Sequence, residues 1–217
     1  MEPANRYTCA LFLDVDGVLI HFPYPDDLKT DINTKAVELF GNKSKYSHFE
    51  SAQARSHFLN SESLAKLQGL IARIQEFALV RIVISSEWRR SGTRHQLQKV
   101  IFKDTGFAKL IIAKTPQNKF PRELQISRWL QKRKTPFDSV LILDDCRFGL
   151  QKDFPLSFVH INRKRLITQG NLNQALNSVM LQLLPKRIPN CKITCSVEDG
   201  TPYINVEITS QEADTDE

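Results

Sequence analysis

Long apolar runs are missing from this chain. No stretch approaches the ~20 consecutive apolar residues that cross a bilayer, so no transmembrane helix is expected. The opening residues, MEPANRYTCALF, lack a basic region followed by a long apolar one, the pattern of a secretory leader. Cysteine is scarce, and the four thiols (Cys9, Cys146, Cys191 and Cys195) show none of the spacings of a zinc site. Cys191 and Cys195 fall in a stretch that reads as a strand, where four residues cover roughly 13 Å, too far for one disulfide. Free thiols in a reducing, cytoplasmic setting are therefore expected. There is no internal repeat at the periods that mark solenoids, and no tract combines basic residues with regularly spaced aromatics.

What is present is ordinary in amount and uneven in placement. The 217 residues are 41% hydrophobic and 25% charged, enough for one sizeable core and typical of a folded globular protein. Between Ser85 and Thr135 thirteen Lys or Arg stand against three acids (Glu87, Asp104, Glu123), whereas Glu198 to Glu217 holds seven acids and no base. The chain is a basic body with an acidic tail, and its basic part would attract a polyanion such as nucleic acid.

Along the chain, apolar runs alternate with helical periodicity. LFLDVDGVLI (11–20), LVRIVIS (79–85), KLIIA (109–113), SVLILDD (139–145) and LSFVHIN (156–162) read as buried strands. Between them, Leu64, Leu67, Leu70, Ile71, Ile74 and Phe77 recur at helical spacing after a cap at Asn60 or Ser61. A basic helix is predicted from about Thr93 to Lys103, another after Pro121, and a last one through Leu172 to Leu183. Residues 21–60 are polar, with turn chemistry in HFPYPDD and short helical pieces at NTKAVELF and ESAQARSHFL. The alternation predicts an α/β fold, a Rossmann-like parallel sheet sandwiched by helices. Residues 192–208 read as a C-terminal β-hairpin around Asp199-Gly200, and 210–217 as a disordered acidic tail.

The first strand ends in Asp14 and Asp16 and then turns at Gly17. Two carboxylates close together and partly desolvated repel each other unless one is protonated or a cation lies between them. A hard divalent cation, Mg²⁺ above all, is the expected resolution. The same Asp-x-Asp-Gly pattern also opens calcium loops and ordinary turns. In a parallel sheet the C-terminal strand ends share one edge, which would gather Asp14 and Asp16, Ser85 and Ser86, and Asp144 and Asp145.

Taken together, FLDVDGVL, VISSEWR, KFPRELQISRWL and LILDD, in this order and spacing, resemble the haloacid-dehalogenase-like (HAD) phosphohydrolase superfamily over roughly residues 7–184. FLNSESLAKLQGLI…VISSEWR and RELQISRWL…VLILDD look like the HAD domains associated with RNA-repair proteins. The resemblance implies a HAD-like core over 1–184 with a small or absent cap and an insertion at about 21–60; the hairpin, taken as 185–209, and the acidic tail lie outside it. It implies a Mg²⁺-dependent phosphatase in which Asp14 is the nucleophile and forms an aspartyl-phosphate, and Asp16 is the acid and base. Asp14, Asp16, Asp145 and Asp144 would hold the metal, with the direct ligand of the last two left open. Ser85 and a basic residue, Arg122 or Lys119, would hold the phosphoryl group, Arg122 being favoured by the match at RELQI. Gly17, Ser86 and Arg89 are candidate substrate contacts, while Trp88 reads as packing and His95 and His160 as structural.

The expected substrate is a phosphomonoester, first of all a nucleic-acid end phosphate. A phosphoprotein, phosphoinositide or nucleotide, or a HAD-fold binding role with little turnover, are the alternatives. The acidic tail is similar to glutamate-containing export signals of bacterial type IV effectors, which would put the protein's work in a host cell.

Overall fold

A computed structural model describes residues 7–117, 119–147, 149–188, 191–198 and 201–208. Five parallel strands make the central sheet: β1 (Tyr7–Leu13), β2 (Ala78–Ile84), β3 (Ile111–Lys114), β4 (Ser139–Asp144) and β5 (Phe158–His160), in the order β3-β2-β1-β4-β5. The apolar first run takes the middle place because both of its faces are covered. Cys9, Leu11 and Leu13 point into the larger core, and Ala10 and Phe12, between them in sequence, into the smaller one.

Each face of the sheet carries its own helices. Helix α3 (Ser61–Gln75) buries Leu67, Leu70, Ile71 and Ile74 in the larger core, its start capped by Asn60, whose Oδ1 accepts from the Ser63 amide at 2.8 Å. Helix α7 (Gln169–Arg187) packs Ala175, Leu176, Val179 and Leu183 on the same side. On the opposite face, α5 (Arg122–Gln131) sets Ile126 and Trp129 on the sheet, and the Trp129 ring meets Phe12 edge-on with centroids 5.4 Å apart.

Three local expectations differ from the structure. Residues 21–60 are largely helical, with α1 (Asp26–Phe40) and α2 (His48–Ser56); low apolar content concealed a long surface helix. The basic helix is only a short α-turn, α4 (Arg94–Gln96), followed by a π-helical turn, Leu97–Ile101. Helix α7 runs through Pro185 to Arg187, beyond the expected end near Leu183. A last short helix, α6 (Leu150–Asp153), lies between β4 and β5.

The hairpin is formed by β6 (Cys191–Glu198) and β7 (Thr201–Ile208), paired antiparallel from Cys191 with Ile208 to Glu198 with Thr201. Cys191 and Cys195 are free thiols within one strand. The expected turn at Asp199-Gly200 and the acidic tail lie outside the described residues.

Candidate active site

Successive strand ends are stitched into one edge. The Asp14 amide donates to the Leu143 carbonyl, the Ser85 amide to Leu13 and the Thr115 amide to Ile84, each at 3.0 Å, and the Ile161 amide donates to Asp144 at 2.9 Å. These bonds continue the ladder one residue past each strand and bring the first residues of the loops into line. Strand β1 stops at Leu13, so Asp14 and Asp16 belong to a tight loop rather than to continuing extended backbone. In it the Leu19 amide donates to the Val15 carbonyl at 2.8 Å, and the Gly17 amide to Ile20 at 2.7 Å.

Gly17 has φ +79°, and a Cβ there would lie 2.5 Å from Asp145 Oδ2. Only glycine suits both the backbone and the space. The absent side chain lets the Asp145 carboxylate lie against the loop that carries Asp14 and Asp16. Those three acids, together with Arg122, Arg163, Glu87, Cys146 and Phe22, line a cavity of about 140 Å³ at the end of the central strand.

Asp14 is buried and held on both oxygens. Its Oδ1 accepts from the Val15 amide at 2.8 Å and its Oδ2 from Arg122 Nη1 at 2.5 Å. The same Nη1 donates to Oδ2 of Asp144, which is fully buried and also accepts from the Cys146 amide at 2.9 Å. Arg122 can do this because Pro121 starts α5 at that point, placing the guanidinium at the helix N-terminus beside the sheet edge. Burial opposes its charge, but Asp14 and Asp144 outweigh burial and hold Arg122 firmly protonated. Lys119, the other basic candidate, is exposed and lines a neighbouring cleft with Glu87, Arg89, Arg90 and Gln117.

The remaining acids carry less compensation. Burial, and next the charge of Asp14, push Asp144 upward against the pull of Arg122. Asp145 is likewise raised, first by burial and then by Asp14, with Arg163 Nε 3.3 Å from its Oδ2. Asp16 is raised by burial, against Arg55 and the hydroxyl of Tyr24, which donates to its Oδ1 at 2.6 Å. Several acids held upward around one small cavity make an environment that a divalent cation would relieve. Asp144, Asp145 and Cys146 bring ligand atoms within 4.8 Å of one another. Burial and the neighbouring acids push the Cys146 thiol up to about 12, so the effective donors are oxygens, which suit a hard cation.

Ser85 is fully buried, and its hydroxyl has no hydrogen-bond partner among the described residues. A buried donor without an acceptor is costly, and a ligand oxygen at this edge would satisfy it. Ser86 points elsewhere, capping the turn Glu87–Ser91 by accepting from the Trp88 amide at 3.3 Å. Arg89 is buried, its Nη1 donating to the Ser85 carbonyl and its Nη2 to Glu87, both at 2.9 Å, so it braces the serine loop. Trp88 is core, stacked against Phe102 at 5.9 Å. His160 Nε2 lies 3.1 Å from the Asp145 carbonyl and steadies that loop, while His95 is away from the cavity.

Sequence reasoning missed Tyr24, Arg55 and Arg163. Each is a single polar residue in a turn or helix with no spacing to mark it, and only their convergence on Asp16 and Asp145 gives them meaning.

The family described as the HAD domain in Swiss Army Knife RNA repair proteins matches residues 10–172, from the central strand into α7. No curated protein and no solved structure matches the chain. The match leaves the hairpin outside.

Proposed function

The chain belongs to the family of HAD domains of Swiss Army Knife RNA repair proteins and is thus a HAD-type phosphohydrolase; on that premise we propose a Mg²⁺-dependent phosphatase that works through Asp14 on nucleic-acid end phosphates. The observation that carries this reading is the gathering of Asp14, Asp16, Asp145 and Arg122 around one small cavity at the end of the central strand.

In this reading Asp14 Oδ attacks phosphorus, the bond to the leaving oxygen breaks, and Asp16 gives that oxygen its proton. Asp16 then takes a proton from the water that hydrolyses the aspartyl-phosphate and returns Asp14 to its carboxylate. Arg122 orients Asp14 before attack and supplies positive charge to the phosphoryl oxygens as charge builds on them. Ser85 donates its unpartnered hydroxyl to the same oxygens. Asp14, Asp145 and the main-chain carbonyl of Asp16 would hold Mg²⁺, which when bound offsets their charge and that of the phosphate. Asp144, fully buried and engaged with Arg122, is the supporting acid rather than the direct ligand.

Two further concavities adjoin the site and support a long, anionic substrate. One, of about 480 Å³, is lined by Glu87, Arg89, Phe120, Pro121 and Arg122; the other, of about 320 Å³, continues to Arg90, Gln117 and Lys119. Both share Glu87 with the catalytic cavity, so the path from the phosphate leads onto the basic segment that follows Ser85. The insertion contributes only two helices, a small cover that supports a substrate presented from a larger molecule.

The test is phosphate release from 3′- and 5′-phosphorylated RNA and DNA, phosphopeptides, phosphoinositides and nucleotides, with Mg²⁺ or EDTA. Release from the nucleic acids is expected, abolished by EDTA and reduced by about 10³-fold or more in Asp14→Asn. Release only from another class would keep the mechanism and overturn the substrate; release by Asp14→Asn at the wild-type rate would overturn the nucleophile.

A further inference from the structure

Both oxygens of Asp16 are claimed by the insertion. The Tyr24 hydroxyl donates to Oδ1 at 2.6 Å, and Arg55 Nη1 lies 3.5 Å from Oδ2. Arg55 Nη1 also donates to the Tyr24 oxygen at 2.8 Å, so the three groups form a closed triangle. Each partner is fixed from behind. Arg55 Nε donates to the Ser51 carbonyl at 3.2 Å within α2, and its guanidinium lies over the buried Trp88 ring, 4.6 Å from the centroid. Tyr24 packs on the main core and meets Phe22 edge-on at 5.5 Å. Tyr24 precedes α1 and Arg55 lies near the end of α2, so two separate parts of the insertion converge on one carboxyl.

A tyrosine hydroxyl that accepts from a guanidinium has one hydrogen left to give, and here its direction is toward Asp16. The pair thereby fixes the rotamer of a carboxyl that stands in a glycine-containing loop, with the indole of the buried Trp88 as a further donor beside it. Asp14 needs no such help, because a main-chain amide and Arg122 already hold it.

We propose that Tyr24 and Arg55 are positioning residues for the acid step: they hold the Asp16 carboxyl at the cavity wall, where it can protonate the leaving oxygen. This rests on the reading of Asp16 as the acid given above. Proton transfer matters most when the leaving oxygen is basic and least when it departs readily as an anion. Loss of the positioning pair should therefore act selectively on poor leaving groups, a pattern that general damage to the fold does not produce.

The experiment compares kcat/KM on 2,4-dinitrophenyl, 4-nitrophenyl and phenyl phosphate with Mg²⁺ for wild type, Tyr24→Phe, Arg55→Gln, Arg55→Lys and Asp16→Asn. For Tyr24→Phe and Arg55→Gln, phenyl phosphate hydrolysis should fall by roughly tenfold or more and dinitrophenyl phosphate hydrolysis by about twofold or less, a smaller version of the Asp16→Asn pattern. Arg55→Lys should recover part of the loss. Equal losses on all three substrates, or none, with wild type active and Asp16→Asn selective, would overturn the positioning role alone. An active wild type whose Asp16→Asn variant shows no leaving-group selectivity would overturn the acid assignment, and the positioning role with it.

Discussion

Asp14 and Asp16 stand two positions apart and line the same cavity, yet different parts of the molecule hold them. Asp14 is secured by the core: the Val15 amide, Arg122 at the head of α5, and through Arg122 the buried Asp144. Asp16 is secured by the insertion, through Tyr24 and Arg55. The difference matches their proposed tasks. A nucleophile gains from a fixed position, whereas an acid and base must change protonation and gains from partners that can yield.

The strongest way to break this contrast is to remove the core's cation alone. Arg122→Met would leave Asp14 and Asp144 buried without a positive partner, a change that costs roughly 3 kcal/mol where no other cation compensates. Urea unfolding in EDTA should show that loss, with Mg²⁺ restoring part of it, and phosphate release should fall by about 10²-fold or more. Equal stability of variant and wild type in EDTA would contradict the core's hold on Asp14.

Gly17→Ala addresses the loop between the two acids. Its methyl would lie 2.5 Å from Asp145 Oδ2 at a φ of +79°, so Asp145 must withdraw. A stability loss of about 1–2 kcal/mol is expected. The Mg²⁺ concentration giving half-maximal activity should rise severalfold; an unchanged requirement would remove Asp145 from the metal site.

The smallest effect sharpens the contrast from the far end of the sheet. Asp138 ties β1 to α7, accepting from the Thr8 amide at 2.7 Å and from Lys186 at 2.5 Å. Burial pulls its carboxyl upward, but the bonds from Lys186 and Thr8 prevail and hold it below the usual range. Its contribution is therefore present at neutral pH and is lost as pH falls through that lowered value. Asp138→Asn should cost about 0.5 kcal/mol at pH 7, less toward pH 3, and leave phosphate release unchanged. A change in release would mean that the two ends of β1 are coupled.

The parts of this molecule that could be read in advance are those with strong periodic or terminal signals. β1 announces itself because Leu11, Phe12 and Leu13 must all be buried, and a central parallel strand has no polar face to interrupt the run. The convergence of Ser85 and Asp144 on Asp14 follows from parallel topology alone. The second half of α1 was legible at NTKAVELF, but its start at Asp26 was not, because only Ala36 in the helix is fully buried and Leu28 and Ile32, half-buried against the core, stand among charged and polar neighbours. The match at RELQI favoured Arg122 over Lys119, but both sit near the start of α5, and it is the direction of that helix that carries Arg122 to the sheet edge and leaves Lys119 exposed. Tyr24, Arg55 and Arg163 acquire meaning through distances between segments far apart in sequence.

One hydrogen bond at the edge of the core has a wider consequence. The Asn60 amide donates to the Leu19 carbonyl at 2.8 Å, so the chain leaves for its excursion and returns at nearly the same point. An excursion with joined ends can be lengthened, shortened or exchanged without rerouting the strands, since closing a longer loop adds only slowly to the entropy lost. Such a design lets the excursion vary in length and content while the strands and the loop that carries Asp14 and Asp16 keep their places.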